Sequence, residues 1–197
     1  MPWPLRAEGL FYASVRFQPV ADSDCRFVLM NVREEEIRQD VGYHVFEPTV
    51  EIELNGVKVF ESLGASGAEP VVIMHFREDA LAETCRLVAN YDRHPAGEDE
   101  YDYWFHGTGC GLKLRRKGTQ LHIAVDVDWG MGPADKVAPG IYPVGWITVR
   151  AWVEAIVVLS NDLSKQFRRL NPELFAYIKD QELLIQELES WLISQDS

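Results

Sequence analysis

The chain is 197 residues long, 47% hydrophobic and 25% charged, with a formal net charge of -12 at neutral pH. Such a length and composition describe one globular domain that buries about 70% of its unfolded surface without help from disulfides or metal. The acidic surplus repels phosphates and anionic lipid surfaces, which excludes nucleic acid and membrane as expected partners and favours a basic protein.

Cys25, Cys85 and Cys110 are far apart and form no C-x-x-C pair. That is the pattern of reduced thiols in a bacterial cytoplasm, not of a disulfide framework or a zinc ribbon. The start Met1-Pro2-Trp3-Pro4-Leu5-Arg6 lacks the basic head and apolar run of a signal peptide. No apolar run reaches the roughly 20 residues that a bilayer span requires.

In chain order, Leu10 to Gln18 reads as a first strand, with Phe11, Ala13, Val15 and Phe17 on one side. A second strand is expected over Arg26 to Val32, followed by an acidic turn or short helix at Glu34-Glu35-Glu36. Asn55-Gly56 between two alternating runs marks a two-residue hairpin turn, which sets Glu53 opposite Lys58 and Ile52 opposite Val59. Val71 to Phe76 reads as a strand and Asp79 to about Tyr91 as a helix with Leu81, Cys85 and Val88 on one face. Two further strands, Tyr101 to His106 and Leu112 to Arg116, lead into Leu121 to Trp129, which alternates strictly.

In that last strand Leu121, Ile123, Val125, Val127 and Trp129 point one way, and His122, Ala124, Asp126 and Asp128 point the other. The pattern predicts one buried and one wet face. A turn at Gly118 pairs Leu114 with Ile123 and Leu112 with Val125, and leaves Lys113 and Arg115 beside His122 and the aspartates. Gly130 to Gly145 is rich in Gly and Pro and reads as one long loop. A helix follows from Arg150, carrying Trp152, Ile156, Leu159, Leu163, Phe167 and Leu170 on a stripe. Asn171-Pro172-Glu173 has the composition of a new helix start, and the last helix runs on from there. The expected fold is α+β: a largely antiparallel sheet covered by helices, residues 1–170 as one domain. The 171–197 helix is either docked on it or used to form a homodimer.

No motif in the chain is a catalytic signature. His106-Gly107-Thr108-Gly109-Cys110-Gly111 sets a histidine near a thiol, but it is neither a dinucleotide fingerprint nor a nucleophile elbow. His122 lies about 13 Å along the strand from Asp126, whereas metal ligands all sit within about 2 to 2.5 Å of one ion. No metal and no cofactor are therefore expected. His75, in an apolar strand, and His44 read as structural residues. The alternative to a binding role is a hydrolase-like enzyme whose pocket combines His106, Cys110, Asp126 and Asp128 under the 130–145 loop.

The stretch Glu98-Asp99-Glu100-Tyr101-Asp102-Tyr103-Trp104 interleaves carboxylates with aromatic rings. That combination suits a basic partner, with rings as anchors and acids for steering. In layout, a small acidic α+β chain with a tyrosine-and-carboxylate patch resembles the bacterial immunity proteins that neutralise secreted toxins. The resemblance implies a non-enzymatic inhibitor of a basic toxin, with residues 98–104 as the contact surface. A structural subunit of a larger assembly is the third reading.

Overall fold

A computed structural model of the chain describes residues 24–39, 46–68, 71–128 and 137–196. The strand expected over Leu10 to Gln18, together with His44 and Trp129, lies outside the described residues. The described residues form two antiparallel sheets and a helical layer, so the fold is α+β. The first sheet holds β1 (Cys25–Met30), β2 (Thr49–Leu54) and β3 (Val57–Lys58), in that order. The second holds β4 (Glu98–Trp104), β5 (Cys110–Lys117), β6 (Gln120–Val127) and β7 (Gly140–Thr148), also in chain order. The helices are α1 (Glu34–Gln39), α2 (Val59–Ser62), α3 (Ile73–Arg93), α4 (Val149–Leu170), α5 (Pro172–Tyr177) and α6 (Gln181–Ser194).

The Asn55-Gly56 hairpin forms with Glu53 opposite Lys58, and both turn residues take positive φ, 52° and 78°. Its second strand stops after two residues, so Ile52 never meets Val59. The cause is Glu51, whose buried carboxylate accepts the backbone N–H groups of Phe60 (2.9 Å) and Glu61 (3.1 Å). It satisfies the first free donors of α2, and the chain turns into a helix where the pattern predicted a continuing strand.

Val71 to Phe76 is a second correction. The run is helical from Ile73, so His75 stands on α3 and not in a strand. A short run of apolar residues reads the same in a strand and in a helix buried on several sides. Here α3 is held between β4, α4 and α6, and Ile73, Met74, Phe76 and Arg77 are all buried. The Gly130 to Gly145 loop is also shorter than its composition suggests, because Gly140 onward belongs to β7. Pro143 is tolerated there because it faces Ala124 at the irregularity in the β6 pairing, where a ladder donor is dispensable.

The stripe on α4 is buried as expected: Trp152, Ile156, Leu159, Leu163, Phe167 and Leu170 all lie in the core. It packs mainly on β1, α5 and α6, while α3 covers β4, so two helices share the work assigned to one. Asn171 caps α5 by accepting the Leu174 N–H at 3.0 Å. The expected single last helix is broken by a turn at Ile178, which stays buried. Ile185, Leu188 and Trp191 of α6 pack inward, with the Trp191 ring edge-on to Tyr91 at 5.7 Å. The fully buried guanidinium of Arg77 fastens this helix to the body through Gln181, Glu182 (3.2 Å) and Ser164 of α4 (2.6 Å).

Candidate functional site

The four-stranded sheet presents two faces of opposite character. Register pairs Leu114 with Ile123 and Leu112 with Val125, which places all four in the core. On β4 the same parity turns Asp99, Tyr101 and Tyr103 inward, on the side that α3 covers, with Tyr103 also against Trp152 of α4 at 4.9 Å. Tyr101 and Tyr103 are each 1% exposed. Tyr103 meets Thr84 at 3.3 Å and accepts the Trp152 indole N–H at 3.2 Å, and burial pushes its phenol well above the usual range. The aromatic anchors expected for a partner are therefore core residues. Alternation on a sheet sends consecutive residues to opposite sides, so Glu98, Glu100 and Asp102 cannot share a surface with Tyr101 and Tyr103.

Asp99 is also turned inward, where it pairs with Arg116. The Arg116 side chain is wholly buried and donates further bonds to the carbonyls of His94 (3.1 Å), Pro95 (3.3 Å) and Gly118 (3.2 Å). The signal for this pair was present in the sequence, since Arg116 shares its parity with Leu112 and Leu114.

The outer face of β4 carries Glu98, Glu100, Asp102 and Trp104. Opposite them on β5 stand Lys117, Arg115, Lys113 and Gly111. Arg115 reaches Glu98 at 3.1 Å and Glu100 at 4.0 Å, and Lys117 reaches Glu98 at 3.7 Å. Lys113 bridges Asp102 of β4 (3.7 Å) and Asp126 of β6 (3.5 Å). Trp104 lies over Gly111, where a Cβ would come within about 3 Å of its ring, and is half-buried for that reason.

The predicted wet face of β6 is not wet. His122 is 2% exposed and Asp126 3%, because β6 is a central strand and long side chains from both neighbours lean over it. Lys113 covers it from β5, and the Trp146 ring from β7 stands edge-on to His122 at 5.0 Å. Burial, reinforced by the Arg115 charge, holds the His122 imidazole below its ordinary value and so neutral.

His106 and Cys110 are not brought together as an acid-base pair. His106 Nε2 lies 2.6 Å from Asp79 Oδ2 on α3, beside the His75 ring at 5.7 Å. Cys110 is fully buried, and its Sγ meets Thr108 Oγ1 at 3.3 Å. Burial pushes the thiol up to about 11, against the Thr108 hydrogen bond and with the Asp126 charge adding to the rise. That is the opposite of what a thiolate nucleophile needs. Asp126 lies on the far face of the sheet from Cys110, and Asp128 follows it on a half-exposed bend whose N–H bonds Gly109. Residues 130–136 of the expected lid lie outside the described residues. Among the described residues no group of His, Cys, Asp and Glu is placed to hold a metal ion, and no helix is long and apolar enough to cross a membrane.

No protein-family model, curated protein or solved structure matches this chain. The site is accordingly read from its own geometry. The exposed part of the predicted surface reduces to Glu98, Glu100 and Asp102 with the half-buried Trp104, along the outermost strand of the sheet.

Proposed function

We propose that this chain is a non-enzymatic acidic binding protein that engages a basic protein partner in the bacterial cytoplasm, as an immunity-type inhibitor of a basic toxin. One observation carries the reading. Glu98, Glu100 and Asp102 stand exposed in a row on an edge strand, in a chain whose net charge is -12. Their neighbours on β5 neutralise much of the row at short range, so the local surface alone is a weak attractor. The chain-wide surplus supplies the long-range field that draws a cation in, and the three carboxylates supply the charge-assisted bonds on arrival.

The test begins with recovery of a partner from the native host by pull-down. Its association rate is then measured against salt, and against the variant Glu98→Gln, Glu100→Gln, Asp102→Asn. Asp99 is left intact because its carboxylate holds a buried arginine. The expected result is an association that slows with salt and slows again in the variant, because steering between exposed charges is screened. A stable partner whose on-rate ignores both would overturn the assignment of these residues.

A further inference from the structure

The backbone of β4 adds a feature that its side chains do not reveal. The Phe105 N–H donates to the Cys110 carbonyl at 3.1 Å, in register with the β4–β5 ladder. In an antiparallel pair, residues alternate between those that exchange backbone bonds with the neighbour and those that do not. Tyr103, Tyr101 and Asp99 follow Phe105 in parity and bond to β5. Glu98, Glu100, Asp102 and Trp104 therefore turn their N–H and C=O groups away from β5, toward a sheet edge that no strand among the described residues covers. These are the same residues whose side chains form the exposed acidic row. Among the described residues one backbone group on that edge has a protein partner: the Glu100 carbonyl takes a 3.4 Å contact from Arg86 Nη2 of α3. A cation thus already stands beside the middle of the edge, in place of a donor from a further strand.

We propose that β4 is a strand-addition site whose occupant is an extended basic segment of the partner, with Lys or Arg at every second position. This rests on the basic-partner reading and states how the partner is held. A strand laid antiparallel beside β4 would place its residues directly opposite Glu100 and Asp102 in backbone-bonded pairs. Basic side chains at those positions extend the existing order, in which a basic row already flanks the acids from the β5 side. Backbone bonds give the docking its affinity and alternate charges give it its register. A second copy of this chain does not fit the same edge. Pairing β4 with β4 sets Glu98, Glu100 and Asp102 against carboxylates, and like charges directly opposite one another are destabilising.

The test uses the whole protein and two synthetic peptides of about ten residues that alternate lysine with valine. One is unmodified, and the other is methylated on the backbone nitrogen of each lysine, which keeps the charge and removes the donors. Calorimetry should show the unmodified peptide binding at least tenfold more tightly. Amide hydrogen exchange should slow at Glu100, Asp102 and Trp104 when it is added. Asp102→Pro should weaken binding well beyond Asp102→Ala, since proline leaves the β5 ladder intact but blocks the outer edge. Equal binding of the two peptides with no protection of those amides would overturn strand addition and leave simple charge attraction standing. Failure of both peptides to bind at low salt would overturn the inference and count against the basic-partner reading at this surface. A dimer in sedimentation that Asp102→Pro abolishes would assign the edge to a second copy instead.

Discussion

Arg115 and Arg116 are consecutive in β5, carry the same group, and each meets a carboxylate of β4, yet they do different physical work. Arg116 points into the core, is wholly buried, and is bound by Asp99 and three backbone carbonyls. Arg115 points outward, is 38% exposed, and shares Glu98 and Glu100 with water. Burial decides the value of an ion pair more than its geometry does. A charge withdrawn from water must have its partner, whereas an exposed one is solvated whether paired or not. The sheet therefore has a face that specifies the fold and a face on which charges can be exchanged for those of another molecule.

The largest effects belong to the inner face. Trp152 is fully buried, bonds Tyr103 of β4, and stands edge-on to Phe27 of β1 at 5.5 Å, so it joins the two sheets. Trp152→Ala should cost about 3–5 kcal/mol in urea denaturation, because the site is closed in from several elements and cannot fully collapse. A loss below about 1 kcal/mol would mean that this layer is not the core.

Asp99→Ala comes next, at about 3 kcal/mol, the low end for a buried pair because the Asp99 side chain is 32% exposed. It strands the Arg116 guanidinium, whose other partners, three backbone carbonyls and the face of the Tyr91 ring at 5.8 Å, carry no charge. The double variant Asp99→Leu, Arg116→Met should recover much of that loss, since removing both charges leaves nothing uncompensated. If the double variant is no better than the single one, the carbonyl bonds and not the ion pair dominate.

These cases show what was legible in the sequence. Period-two alternation identified β5 and β6, their register and the core residues, because burial on one face writes itself into every second position. Asn55-Gly56 identified a turn, because few residues accept its dihedral angles. The extent of β3 was not legible, since Glu51 acts on it across the hairpin through backbone donors that no pattern records. Neither was the burial of His122 and Asp126, which depends on β6 being central and on the reach of Lys113 and Trp146 from the neighbouring strands. Of the seven residues expected at the partner surface, parity alone removes Asp99, Tyr101 and Tyr103. The composition of the stretch records which residue types stand together in the chain, but not that β4 sends them to opposite faces.

His122 belongs to the outer face by parity and to the interior by burial, and its protonation tests which description governs. Burial lowers its folded-state value below 6.5, so the unfolded chain takes up the proton first as pH falls. Stability should therefore be full above about pH 7 and decline as pH drops below 6.5 toward the lower folded value. His122→Phe keeps a ring against Trp146 and removes the titration, so its urea midpoint should fall less between about pH 7.5 and 5.5 than that of the wild type. Parallel pH profiles would mean that the imidazole is solvated in the folded state.

The smallest effect on stability is expected for the outer row, where it also has the most bearing on function. In Glu98→Gln, Glu100→Gln, Asp102→Asn the lost pairs are exposed, and each should cost under about 1 kcal/mol. Arg115 and Lys117 turn to water, and Lys113 keeps Asp126 at 3.5 Å. The variant should unfold cooperatively with a urea midpoint close to that of the wild type, and with a smaller difference from it at high salt than at low. Adding Asp99→Asn should then produce a drop out of proportion to one further amide. If the three outer substitutions destabilise as much as Asp99→Ala, the acidic row is needed to hold the sheet together, and its carboxylates are not free to serve a partner.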